Sequence, residues 1–425
     1  MLQGHPFLLM LKRKLYSKQF QKKHRIGENS FVRERKLTFP VIFSMILKSI
    51  AKSLSIECEL LNLDVAQMAP SKQAFSKARY KIAHTGFQEL LDLSIETHYA
   101  VPDVGTWRGY RIIAADGSSI RLPDSEEVVS EWKRFNCNTT QGRPPILGRV
   151  SLFVDLCTSV ILSGRLASWE IGEERLAEEQ MPEVVHRLGG LGQKNLLFVY
   201  DRGYTSLKFM KDHHGLGADF IMRLQKGTYK EIWRRIDLGE RDFDFVFKNK
   251  PSKLEQKVRV LGIQLSEGEI EVLITSMDDR EKFTLEDISK IYFLRWHIEE
   301  CYKRLKVCTE LENFSGVKPE AIKQEFWAHL VMCNLLALHM FDKQGAWDPD
   351  EIPDYRLNFS VLFGVMKEQL FKAITGKCSA KKFQKLFDRV AIRAKVKVRP
   401  GRSYSRRMAG RPLRHHVYRG ERGDA

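Results

Sequence analysis

Two short apolar runs in this chain each end in a carboxylate with glycine close behind: IIAAD-G at Asp116–Gly117 and LLFVYD-R-G at Asp201–Gly203. An acid at the C-terminal tip of a buried strand meets a second such acid when the two strands are adjacent and parallel. A glycine just after it permits a tight turn and leaves room for a phosphate or a metal ion. Singly, each Asp-Gly is an ordinary turn signal; together they point to chemistry. The third element is IYFLRWHIEECYKRLK, residues 291–306. Stepping about 100° per residue from Tyr292 at zero puts Arg295 near about −60°, Glu299 near about −20° and Lys306 near about −40°. These four side chains share one narrow face, while Ile291, Leu294, Ile298, Cys301 and Leu305 form an apolar stripe on the other. Such a helix packs on a sheet by its stripe and turns its Tyr/Arg/Glu/Lys face toward the strand tips. Alone, the same pattern is an ordinary surface helix held by an Arg295–Glu299 pair at i,i+4.

The elements that position these residues follow from changes of texture along the chain. Residues 1–36 are strongly basic without a clear apolar period, and read as a flexible arm. Residues 37–104 turn helical, with TFPVIFSMILKSIAKSL, SIECELLNL and SKQAFSKARYKIAHTGFQELLDL, the last opened by Ser71 as N-cap. Lys77 and Arg79 on that third segment make a helical DNA-binding domain the functional reading, against an amphipathic helix with a solvated basic face as the plain one. Strand-like runs follow at 109–116, 149–157, 158–168, 195–201 and 219–224, with a helical stretch over 173–187, which predicts a mixed sheet with helices against it. Residues 225–280, with DFDFVFKN, KVRVLGIQL and EIEVLITSM, read as a β-rich insertion. The catalytic domain is then expected over 105–224 and 281–345, helical from Leu285 to about Phe341. Residues 346–425 read as a helical segment and a basic tail rich in Gly and Pro.

Composition narrows the partners. Lys plus Arg number 70 against 53 Asp plus Glu, a net charge of +17 with pI near 9.5, which favours a partner presenting many phosphates. No run approaches the ~20 apolar residues that span a bilayer. The N-terminal apolar run has its basic residues after it and no small-residue cleavage site, so a cytoplasmic, nucleoid-associated protein without a membrane partner is expected. The seven cysteines are scattered without a CxxC pair, consistent with neither a disulfide framework nor a zinc module. His213–His214 and His415–His416 lack partners at metal-ligand spacing and read as loop histidines. The glycines at 189, 190 and 192 lack the Lys-Ser/Thr of a phosphate-binding loop and read as a helix-to-strand turn.

AADGSS (114–119), YDRGYTS (200–206) and Y-x2-R-x3-E-x6-K at Tyr292, Arg295, Glu299 and Lys306 resemble the DDE transposases of bacterial insertion sequences, the group with the Tyr-Arg-Glu-Lys signature. LENFSG (311–316), the SKQAFSKAR stretch and the basic tail extend the resemblance over most of the chain. It implies an α/β fold with an RNase H-like core, Asp116, Asp201 and Glu299 as catalytic metal ligands, and Tyr292, Arg295 and Lys306 in contact with DNA near the transposon end. It also implies cut-and-paste transposition by a homodimer in a synaptic complex with terminal inverted repeats and target DNA. In-line attack on a phosphodiester needs an activated nucleophile and a stabilised leaving oxygen, which two metal ions about 3.5–4 Å apart supply. Hard Mg²⁺ or Mn²⁺ takes carboxylates, and Arg and Lys add charge at phosphate oxygens. Three alternatives stay open on sequence: a nuclease of the same fold that never joins ends, a catalytically silent DNA-binding derivative, and a basic RNA-associated protein.

Overall fold

The computed structural model of the chain describes residues 4–32, 36–48, 55–59, 70–101, 104–135, 144–249, 251–265 and 268–399. Eight strands form one mixed sheet: β1 (Arg111–Leu122), β2 (Ile146–Asp155), β3 (Ile161–Ser168), β4 (Leu196–Tyr200), β5 (Asp219–Arg223), β6 (Asp242–Asn249), β7 (Leu254–Gln264) and β8 (Ile270–Thr275). Their order is β3-β2-β1-β4-β5-β8-β7-β6, parallel at β1–β4–β5 and antiparallel elsewhere. The β-rich stretch expected as an insertion therefore continues the main sheet, with β8 pairing directly to β5 through Ile221↔Thr275. Its alternating strands complete the open edge that β5 would otherwise present.

The first 36 residues are not an arm where they are described. They form α1 (Gly4–Tyr16) and α2 (Lys18–His24), with Phe7, Leu11, Leu15 and Phe20 buried. Phe7, Leu11 and Leu15 recur at i, i+4 and i+8, a stripe obscured in sequence by the basic residues between them. Further helices follow, among them α3 (Phe39–Lys48), α4 (Lys72–Arg79) and α5 (Thr85–Tyr99). Ser71 caps α4 as expected, its hydroxyl accepting from Ala74 N at 3.1 Å. Helices α6 (Glu126–Trp132), α7 (Glu173–Gly190), α8 (Leu207–Gly215) and α9 (Lys230–Asp237) lie among the strands.

The stretch expected to be helical from Leu285 to about Phe341 is helical in several pieces. It comprises α10 (Leu285–Leu294), α11 (Trp296–Lys303), a π-helical turn over Arg304–Cys308 and, after irregular chain, α12 (Pro319–Gln344). Lys318 is extended before Pro319, which starts α12 where a missing N–H costs nothing. Helix α12 is apolar nearly all round and is correspondingly buried. It packs on α5, α3, α1 and β3, so the N-terminal helices share a core with the C-terminal half and do not form a detached domain. Helices α13 (Phe359–Ile374) and α14 (Ala380–Arg393) complete that layer. The tail from residue 400 lies outside the described residues.

Candidate active site

Parallel pairing of β1 with β4 ends at Ala115↔Tyr200, so Asp116 and Asp201 are the next residues on two neighbouring strands. Asp116 is not at a strand tip: β1 continues through it, paired with β2 at Asp116↔Leu152. Gly117 makes no turn there. A Cβ on it would overlap the Glu173 side chain at the start of α7, which is the reason for a glycine at that point. Beyond Asp201 the chain does turn, and Gly203 takes it at φ 99°. The Asp116 carboxylate accepts from the Gly117 N–H at 2.9 Å, and its carbonyl accepts from Tyr302 Oη at 2.7 Å. Burial raises its pKa to about 7, against the Gly117 N–H and the charge of Arg295, which pull it down.

Helices α10 and α11 supply the opposite wall. Tyr292 is buried and donates its hydroxyl to Asp201 Oδ1 at 3.2 Å. Arg295 is only 4% exposed and stands between two acids, Nη2 lying 3.5 Å from Asp201 Oδ2 and 3.2 Å from Glu299 Oε1. Its Nε is buried without an acceptor. Burial works against the Arg295 charge, but Tyr292 and the carboxylates of Asp201, Asp116 and Glu299 outweigh that and raise its pKa. Lys306, in the π-helical turn, donates to Ser118 Oγ at 2.8 Å and to the Ser119 carbonyl at 2.6 Å, on β1 just past Asp116. The single helical face read from sequence is thus bent at Arg295 and rewound after Lys303, yet Tyr292, Arg295 and Lys306 reach the sheet around Asp116 and Asp201, and Glu299 joins them through Arg295. Glu300 points elsewhere, paired with Arg356 and Arg304.

Further residues join the site that periodicity did not single out. Arg223, at the end of β5, lies 3.8 Å from Asp201 and holds Glu271 at 2.9 Å. Arg149 on β2 pairs with Glu173, whose charge acts on Asp116. Tyr302 was legible only as one turn beyond Glu299. Acids and cations alternate across the cleft, which can bind an anionic substrate while holding carboxylates close to one another.

With this geometry in place, comparison with known proteins is decisive. Residues 107–335, more than half of the chain, match the family described as transposase DDE domain. This chain belongs to the DDE transposase family. The transposase is 25% identical over 319 residues to transposase InsG for insertion sequence element IS4 of Escherichia coli (strain K12), covering 71% of this chain and 68% of that one. Its fold is also that of the piggyBac transposase in a cryo-EM structure of a synaptic complex with hairpin DNA: TM-score 0.51, 9% identity, 93% of this chain and 87% of the other covered. The mixed sheet with flanking helices is accordingly an RNase H-like core.

Members of the family use divalent metal ions. The transposase offers an oxygen-only donor set, a carboxylate pushed toward protonation by burial, and an orphaned Arg295 Nε, all of which suit a hard cation and its phosphate substrate. Among the described residues no three acidic, His or Cys side chains close into a cage. Asp201 and Glu299 flank the Arg295 guanidinium instead, so the fit lies in donor chemistry.

Two other expectations change. Arg79 is 1% exposed and is consumed inside the transposase, donating to Gln324 at 3.1 Å and Ser315 at 2.9 Å and pairing with Glu325 at 2.9 Å; it does not reach DNA. Lys77 is exposed on α4. His213 is a buried residue of α8, between the Phe209 carbonyl and Tyr200 Oη, and not a loop histidine. His415–His416 lie outside the described residues. No helix among those residues is long and apolar enough to cross a membrane.

Proposed function

We propose that the transposase cuts DNA at the ends of an insertion sequence and joins those ends to target DNA, with Asp116, Asp201 and Glu299 holding two Mg²⁺ or Mn²⁺ ions. The observation that supports this best is the register of β1 and β4, which brings Asp116 and Asp201 to neighbouring strands, with Glu299 linked to Asp201 through the shared Arg295 guanidinium. When bound, the ions activate the attacking water or hydroxyl and stabilise the leaving oxygen. The protein's own groups do the positioning. Tyr292 holds Asp201 by a hydrogen bond, and Arg295 keeps Asp201 and Glu299 at one spacing while its guanidinium supplies positive charge for a phosphate oxygen. Lys306 brings positive charge to the β1 edge just past Asp116. DNA as partner is supported by the net charge of +17, and by relatives named for an insertion sequence element and for a complex with DNA. Action on paired ends calls for a homodimer in a synaptic complex, working at the nucleoid.

Asp116→Asn, Asp201→Asn and Glu299→Gln are each expected to abolish cleavage in Mg²⁺ while leaving affinity for DNA within about threefold of the parent, because that affinity comes from the basic surface. A single-turnover cleavage assay beside a gel-shift titration checks this, and near-parental cleavage by any one variant would remove that residue from the ligand set. Precut ends incubated with target DNA separate transposition from simple nuclease activity, since a nuclease yields no joined product.

A further inference from the structure

Gly117 and Ser151 stand directly opposite each other on β1 and β2, so they share a face of the sheet, the one toward which α7 begins. Glu173, the first residue of α7, lays its side chain over Gly117 in the space a Cβ there would take. Its carboxylate thereby comes up against the residue that follows Asp116. The plain reading of Glu173 is a first-turn acid that favours the N-terminus of its helix and pairs with Arg149. Three buried polar atoms on this side do not fit that reading. Ser151 Oγ, Arg149 Nε and Tyr204 Oη have no hydrogen-bond partner, and Ser151 and Tyr204 are only 1% and 2% exposed. Buried polar groups are ordinarily satisfied, and several orphans around one carboxylate mark a place for a hydrated ligand.

Tyr204 gives that ligand its sign. It follows Gly203 in the turn beyond Asp201, and the charges of Asp116, Glu173 and Asp201 all act on its phenol. Burial first, and then these charges, hold its pKa well above the ordinary value against the pull of Arg149, so it keeps its proton and can donate it. One neutral donor in the field of three carboxylates suits a cation that brings its own water. Arg149 meanwhile holds Glu173 by one guanidinium nitrogen and the Trp169 carbonyl by another at 3.3 Å. A divalent ion entering here competes with that guanidinium for Glu173.

We propose that Glu173 is a fourth carboxylate of the cation centre, approaching Asp116 from the α7 side, with the Tyr204 hydroxyl donating into the same space and Arg149 as the competing counter-charge. Glu173 is a positioning residue: it holds the hydration shell of Mg²⁺ or Mn²⁺, hard ions that keep several waters. The assignment rests on the reading of Asp116 and Asp201 as metal ligands and adds how the water around the ion is held.

Titration of the full chain with Mn²⁺, followed by loss of the free-ion electron paramagnetic resonance signal, tests this independently of cleavage. Glu173→Gln should weaken Mn²⁺ binding about tenfold, the scale of losing a group that orients a metal's ligands. Tyr204→Phe, which removes only the hydroxyl, should weaken it too. Arg149→Gln should tighten it, because a fixed positive charge beside the ion is gone. Glu174→Gln, one residue on in the same helical turn, should leave it unchanged. Thermal melts in chelator establish which variants are folded, and if Glu173→Gln is not, the opposite signs of Tyr204→Phe and Arg149→Gln decide. Parent-like Mn²⁺ affinity in Glu173→Gln or in both of those variants, beside loss in Asp116→Asn, overturns the fourth carboxylate alone. Parent-like affinity in Asp116→Asn and Asp201→Asn, or a parent chain that takes up no Mn²⁺ with or without a mixed-sequence DNA duplex, overturns the metal reading and the fourth carboxylate with it.

Discussion

Arg295 occupies the position on which the site turns. Its one guanidinium serves Asp201 and Glu299 at 3.5 and 3.2 Å, and its ring neighbours Tyr292 and Trp296 lie at 5.7 and 5.8 Å from it. Removing it leaves Glu299 without this cation and Asp201 with only Arg223 at 3.8 Å to balance it in a partly desolvated cleft. Arg295→Ala and Lys306→Ala should therefore lower single-turnover cleavage by about 10²–10³-fold, the scale of losing one preorganised charged donor, while total DNA affinity falls much less. Lys306→Arg should recover only part of the rate, because a planar fork does not reproduce a compact charge reaching both Ser118 and Ser119. Glu300→Ala is the control. Its side chain belongs to the Arg304 and Arg356 pairs on the other side of α11, so cleavage should stay near the parent's, and a large loss there would shift the assignment of the third acid from Glu299.

Among the elements, α12 joins the helical layer to the sheet, and beside its apolar packing on β3 it does so through the amide of Asn334. Asn334, fully buried, accepts from Ile161 N at 2.8 Å and donates to the Ile161 carbonyl and to Ser94 Oγ, both at 2.9 Å. It thereby satisfies the first backbone groups of edge strand β3 and ties them to α5. Asn334→Leu keeps the volume but strands those groups, and should cost about 1–3 kcal/mol in chemical denaturation; an unchanged midpoint would mean that water replaces the amide. What could be read in the sequence divides along similar lines. Short apolar runs ending in Asp116 and Asp201 were legible because strand pairing is local in pattern, and the Tyr292–Lys306 spacing because helical phase is periodic. Arg79 was misread because a cation on an amphipathic segment looks the same whether it meets solvent or, as here, Glu325 and Gln324 brought from some 245 residues away. The π-helical turn at Arg304–Cys308 and the joining of β8 to β5 are likewise tertiary outcomes, settled by partners distant in the chain.

At the scale of the whole molecule, this basic protein buries five histidines among the described residues: His24 on α2, His98 on α5, His213 on α8, and His329 and His339 on α12. Burial lowers the pKa of His98, His213 and His339 to about 4 and that of His329 to about 3, because each imidazolium would be charged without water around it. The unfolded chain protonates histidine near its ordinary value of about 6.5, so below that pH it binds protons that the folded chain refuses. Stability is then fully present above about 6.5 and declines as the pH falls toward 4. Asp116, Asp92 and Glu271, raised by burial, take up protons in the folded state and offset part of the decline. The buried histidines should nonetheless prevail, and because they sit in several elements that share one core, the loss should be a single cooperative transition. Thermal melts at steps from pH 7.5 to pH 4.5, at constant ionic strength, are expected to show a falling Tm over the lower part of this range. His329→Gln, which keeps a partner for Thr309 Oγ1 without a group that titrates, should make the fall shallower, and a slope identical to the parent's would show that His329 does not contribute to it.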